Sequence, residues 1–112
     1  MSIIESNRLI AEFLDARHYG ATDEYELYGI VECIEDGEFE QHFFRPVDMK
    51  FHTSFDWLIP VVVKCFDVYD EMEDNLSNHQ FILNDALLET NIGSLFKAVV
   101  ESIVWYNEQK VV

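Results

Sequence analysis

Residues 94–109 place the strongest limit on the fold. Leu95, Phe96, Val99, Val100, Ile103, Val104, Trp105 and Tyr106 recur there at helical spacing and cover more than half of a helix circumference. A surface helix needs only an apolar stripe. This one has to be buried heavily, or buried on one side and bound to a partner on the other. Ser94 can cap its start, after a break at Asn91, Ile92 and Gly93. The 112 residues suffice for a single domain, and nine Phe, five Tyr and two Trp supply a modest core.

Two more segments carry helical periodicity. Leu9, Ile10, Phe13 and Leu14 predict a short amphipathic helix over 6–14, capped by Ser6 or Asn7. Residues 15–23 contain Gly20 and lose the period, which predicts a loop. Thr53 opens the next helix, with Asp56 three residues on as a partial capping box. Leu58, Val62, Cys65, Phe66, Tyr69 and Met72 form its buried stripe. Pro60 removes one backbone donor in the first turns, and the pattern fades over the polar stretch 75–78.

Between these helices the period changes to two. Tyr25, Leu27, Val31 and Cys33 alternate with Glu24, Glu26 and Glu32, which predicts a strand over 24–34. A turn at 35–38 returns the chain as a strand over 39–45, ended by Pro46. A two-residue Asp36-Gly37 turn would pair Ile30 with Phe43. A three-residue turn would pair Gly29 with Phe43, and is preferred because it keeps Tyr25, Leu27, Val31, Cys33, Phe39 and Phe43 on one face. That register sets Glu32 opposite Glu40. Residues 47–52 extend the sheet irregularly. Residues 79–83 read as a third strand and 86–89 as a short fourth. The fold class expected is α+β: a small, mainly antiparallel sheet of three or four strands packed by three helices, in the order α-β-β-α-β(β)-α, with no repeats.

Charge is the outlier. There are 22 acidic residues against seven Lys and Arg, a formal net charge of −15. This balance disfavours an unaided phosphate-tracking surface and rules out a polybasic membrane anchor. The start of the chain lacks the basic and apolar runs of a signal peptide, so a cytoplasmic protein is expected. Cys33 and Cys65 lie in apolar segments and read as buried free thiols.

Motifs for chemistry are lacking. His18, His42, His52 and His79 never share helical ligand spacing, and the run Asp67, Asp70, Glu71, Glu73, Asp74 departs from the calcium-loop pattern. There is no Gly-x-Ser-x-Gly elbow and no glycine-rich phosphate loop. No metal, cofactor or catalytic residue is expected, and the reading points away from an enzyme.

What stands out is a run of eight acids and no Lys or Arg over 23–40. In the preferred register Glu24, Glu26, Glu32, Glu38 and Glu40 share one sheet face, where Tyr28, His42 and Phe44 would be exposed interface aromatics. Asp67, Asp70, Glu71 and Asp74 lie on one side of the second helix. Trp57 and Trp105 read as core anchors.

Two segments also carry a resemblance. His52-Thr53-Ser54-Phe55-Asp56-Trp57-Leu58-Ile59-Pro60-Val61-Val62-Val63-Lys64 and Lys97-Ala98-Val99-Val100-Glu101-Ser102-Ile103-Val104-Trp105-Tyr106-Asn107 resemble a group of small uncharacterised phage and prophage proteins. There a His-Thr-Ser-Trp-Asp-Trp-Leu-Met-Pro-Val-Val-Glu-Lys helix precedes a Lys-Ala-Val-Val-Glu-Phe-Ile-Lys-Trp-Tyr-Asn helix. An Asn-Leu-Ile-Ala-Glu-Phe opening is similar to the stretch from Asn7 to Phe13. The group is in turn more distantly similar to phage α-β-α sandwich domains. This sequence departs from it at Phe55, Val63 and Val104, and the acidic hairpin is not part of the shared pattern. The resemblance covers about a third of the chain. It implies a phage accessory protein and a fold, and no reaction.

The expected function is a non-enzymatic, anti-CRISPR-like inhibitor. Its acidic surface would bind a basic nucleic-acid-handling protein, a CRISPR effector or another defence nuclease, whose channels are positively charged to hold a backbone. Glu24, Glu26, Tyr28, Glu32, Glu38, Glu40, His42, Asp67, Asp70, Glu71 and Asp74 are its expected contact residues. No direct nucleic-acid or membrane binding is expected, and a homodimer stays open. The alternative is a phage structural or housekeeping protein whose acidity serves solubility alone.

Overall fold

The computed structural model of the protein describes residues 1–27, 43–71 and 78–110. Among them are α1 (Ile3–Phe13), β1 (Arg17–Tyr19), β2 (Glu24–Glu26), β3 (Phe43–Phe44), a 3₁₀ turn (Pro46–Asp48), α2 (Phe55–Glu71), α3 (Asn78–Glu89) and α4 (Ile92–Lys110). The class is α+β, with a three-stranded antiparallel sheet in the spatial order β1-β2-β3. Among the described residues the order is α-β-β-β-α-α-α, and the helix over Asn78–Glu89 corrects the strands expected there in α-β-β-α-β(β)-α.

Helix α1 begins three residues before the expected start. Its cap is Ser2, whose Oγ accepts from the Glu5 amide at 3.1 Å and donates to Glu5 Oε1 at 3.1 Å. Ser2 and Glu5 have the Ser-x-x-Glu spacing of a capping box. Ser6 and Asn7, the expected caps, are instead buried inside the helix. Asn7 Nδ2 donates to the carbonyls of Pro46 at 3.0 Å and Met49 at 3.3 Å, tying α1 to the 3₁₀ turn. Asp15 closes α1 with a left-handed φ of 58°. The amides of Asp15 and Ala16 bond back to Glu12 and Ala11, as in a Schellman motif.

The expected loop over 15–23 contains β1 and a turn leading into β2. Strand β2 keeps the alternation read from sequence: Tyr25 and Leu27 are buried, Glu24 and Glu26 half-buried. The pairing to β3 does not follow either expected register. Glu26 lies opposite Phe43 and Tyr25 opposite Phe44, three residues from the preferred alignment. An odd slip exchanges the faces of a strand. Phe44 therefore turns inward, edge-on to Trp57 with centroids 5.0 Å apart, and Phe43 turns outward. The expected exposure of Phe44 is corrected by that contact. The turn at 35–38, the opposition of Glu32 and Glu40, and Tyr28, Cys33, Glu38, His42 and Asp74 lie outside the described residues.

Residues 47–52 form no added strand. The amides of Thr53 and Ser54 both donate to the Lys50 carbonyl, and the Ser54 carbonyl accepts the first helical bond of α2 from Leu58. Thr53 thus belongs to the turn before α2. The buried face of α2 is Trp57, Leu58, Val61, Val62, Cys65, Val68 and Tyr69. Phe66, expected in that stripe, is only half-buried.

Helix α3 replaces both strands expected over 79–83 and 86–89. The apolar run Phe81-Ile82-Leu83 suits a short strand, and its weak amphipathicity hides the helix. Leu83 and Ala86, three apart, make the buried contact, and α3 packs on α4. The joint between them is two residues, Thr90 and Asn91. Thr90 has φ 56°, and Asn91 Oδ1 accepts from the Ser94 amide at 3.0 Å. Asn91 is therefore the cap of α4, and Ser94, expected there, lies in its first turn. Helix α4 packs against α1, α2 and α3, which explains its wide apolar surface. Trp57 anchors the sheet side of the core between Phe44 and Phe51, while half-buried Trp105 lies beside Tyr69. Among the described residues no helix is long and apolar enough to cross a membrane.

Candidate partner-binding surfaces

Three places gather charge. The first joins α1 to the β1–β2 hairpin. Arg8 Nη1 and Nη2 donate to the two Asp23 carboxylate oxygens at 2.7 and 2.8 Å, and His18 Nε2 lies 2.9 Å from Asp23 Oδ1. The His18 ring stacks on Tyr25, and the Tyr25 hydroxyl donates to Glu12 Oε1 at 3.3 Å. The Arg8 guanidinium, with help from His18, holds the Asp23 carboxyl well below the usual carboxylate range. Burial raises the Tyr25 hydroxyl above its ordinary value. Both Asp23 oxygens are engaged, so this cluster is a strut that orients the hairpin.

The second is the outer sheet face. Arg17, Tyr19, Glu24, Glu26 and Phe43 share it by register. Tyr19 packs edge-on to Phe43 with centroids 5.3 Å apart and donates to Glu26 Oε2 at 3.3 Å, while the Arg17 guanidinium lies 5.2 Å from the Tyr19 ring centre. Of the expected contacts, Glu24 and Glu26 are here. The aromatics beside them are Tyr19 and Phe43, which the expected register missed.

The third is a cleft of about 610 Å³, a size usual for ligand sites. Glu12 from α1, Asp15 from its cap, and Asp67 and Glu71 from α2 supply four carboxylates. Phe13, Pro60, Val63, Val68 and Tyr106 supply apolar surface between them. The cleft already holds one cation. Lys64 Nζ donates to the Phe13 carbonyl at 2.6 Å and to Asp15 Oδ2 at 3.4 Å, 5.0 Å from the Phe13 ring centre. No cationic group among the described residues pairs with Asp67 or Glu71. Both stand in the last turns of α2, beside exposed Asp70, with no basic residue in the last turn. Carboxylates at that end face the negative pole of the helix dipole, and Asp67 repels Glu71 four residues on.

Behind the cleft, Phe13, Val68 and Tyr106 also border a small void lined by Cys65, Tyr69 and Ser102. Cys65 is a free thiol that burial pushes up to about 12. The Ser102 hydroxyl, also buried, has no hydrogen-bond partner among the described residues.

The structure thus brings Asp67 and Glu71 together with Glu12 and Asp15. Neither of the latter was readable as a contact, because both belong to a different segment 50 or so positions away and only packing unites them. Among the described residues no three His, Cys, Asp or Glu groups converge as metal ligands. No family model matches the chain, and no curated protein and no solved structure is detectably similar to it.

Proposed function

We propose that this protein is a non-enzymatic inhibitor that binds a basic, nucleic-acid-handling protein, a CRISPR effector or another defence nuclease, through its acidic surfaces. The observation that carries this reading is the cleft: four carboxylates from separate elements surround apolar surface, and the two on α2 have no cation of their own among the described residues. A solubility surface gains from acids spread where they repel least. Acids at the wrong end of a helix dipole and along a concave wall cost stability unless a cation arrives. The net charge of −15 steers such a partner, and the resemblance to small phage proteins supplies the setting. The mechanism is occlusion. The acidic protein occupies or adjoins a channel built for a phosphate backbone, and nucleic acid is excluded sterically and electrostatically.

A nuclease assay tests the proposal. Purified protein is titrated against a panel of CRISPR effectors and other defence nucleases. Loss of activity near an equimolar ratio, relieved by raised salt during association, supports it. Loss at ratios far below equimolar points to an enzyme, and full activity across the panel leaves the solubility reading; either overturns it.

A further inference from the structure

Helix α2 is apolar on two sides. One is its core face. The other is the row Phe55, Ile59, Val63, Asp67, Glu71, each four residues from the next, a ridge that winds about 40° around the helix at every step. All five are exposed, with Phe55 at 41%, Ile59 at 37% and Val63 at 54%. The row is apolar over its first half and acidic over its second. Its last three members are also walls of the cleft. Lys64, the one basic residue of α2, is turned off the row toward Phe13 and Asp15. The seven buried residues of α2, between Trp57 and Tyr69, include none of the three.

We infer that this ridge and cleft together seat a cationic amphipathic helix of the partner. The inference rests on the proposed binding of a basic protein and names the segment that is bound. Because the ridge winds, a crossing helix meets its middle, Ile59, Val63 and Asp67, which spans about 12 Å along the axis. Side chains of an i, i+4 ridge fit the grooves of a second helix crossing it. Apolar residues of the incoming helix cover Ile59 and Val63. Its Lys or Arg side chains reach Asp67, Glu71 and Glu12, and also meet the negative end of the α2 dipole. The charge pattern selects this occupant. A second copy of the chain carries the same −15 and brings acids against acids, and an anionic membrane is repelled.

The test uses the full chain and two fluorescent synthetic peptides of about 18 residues with one composition of Leu, Lys and Arg. One places Leu at helical spacing and the other is scrambled. Anisotropy should show the amphipathic peptide binding about tenfold tighter or better, with helical circular dichroism appearing on binding. Ile59→Ser with Val63→Ser should remove that advantage and leave scrambled-peptide binding unchanged. Equal affinity for the two peptides, or an amphipathic advantage that survives these substitutions, overturns the inference while the nuclease assay still decides the proposed function. A protein dimer in sedimentation that Ile59→Ser with Val63→Ser dissolves overturns it in favour of a second copy.

Discussion

Neutralising the α2 carboxylates should separate binding from stability. In Asp67→Asn with Glu71→Gln the side-chain shapes stay the same, and both positions are exposed, so no packing is lost. Each charge removed from the negative end of α2 is worth about 0.3–1 kcal/mol. The repulsion between the two, one helical turn apart, adds about 0.2–0.5 kcal/mol. No cation among the described residues loses a partner, so little offsets these gains. Solvent screening lowers the total to about 1 kcal/mol, a midpoint rise of about 0.5 M in urea or several degrees in melting. The gain should shrink in high salt, where the Debye length falls to about 3 Å at 1 M. Affinity for the amphipathic cationic peptide should fall about tenfold or more at the same time. Urea titration and anisotropy on one preparation read both. A double variant that is less stable than the parent would show that these carboxylates hold the fold together, and the reasoning from unpaired charge would be refuted. So would a more stable variant that binds undiminished.

Further expectations concern the scaffold. Trp57→Ala should cost about 3–5 kcal/mol in denaturant titration, since Trp57 is 2% exposed between Phe44 and Phe51, whereas half-buried Phe66 and Phe96 should each cost clearly less. At the α3–α4 joint, Asn91→Ala should lose about 1 kcal/mol and Ser94→Ala nearly nothing, because Asn91 makes the capping bond. Thr90→Gly should gain about 1 kcal/mol by relieving a branched side chain at φ 56°. The Asp23 strut should show in the acid limb. Asp23 has its folded value lowered from 3.8, so its contribution is complete above the unfolded value and is lost as pH falls through the folded one. The stability gap between the parent and Asp23→Asn should hold from neutrality to about pH 5 and close on further acidification. A gap that stays open once the pH has fallen well below the ordinary carboxylate range would contradict the Arg8–Asp23 assignment.

Local rules made three things legible in the residues. The stripe from Leu58 to Tyr69 and the apolar girth of 95–106 announce two helices. The alternation from Glu24 to Leu27 announces a half-buried strand. Net charge, which needs no fold, announces an acidic surface. The i, i+4 row from Phe55 to Glu71 was equally open to inspection, since helical spacing alone makes it a ridge. Caps were less so: Ser2 with Glu5 carries the spacing of a box, yet Ser6, Asn7 and Ser94 offer the same chemistry, and only the backbone bonds choose among them.

Tertiary packing decided the rest. Phe81, Ile82 and Leu83 suit a strand as well as a helix until Leu83 and Ala86 find α4, a contact between segments that no short window contains. Phe43 and Phe44 are adjacent and chemically identical. Which of them faces inward depends on a slip of register, resolved by the ring of Trp57. The cleft depends on Asp15 and Lys64, remote in sequence, meeting at the end of α1. Residue type and spacing act within a few ångströms along the chain, and they determined the helices of the core and the acidity. The register, the third helix and the convergence of carboxylates are energies of long-range contact, which exist only once the whole chain has closed on itself.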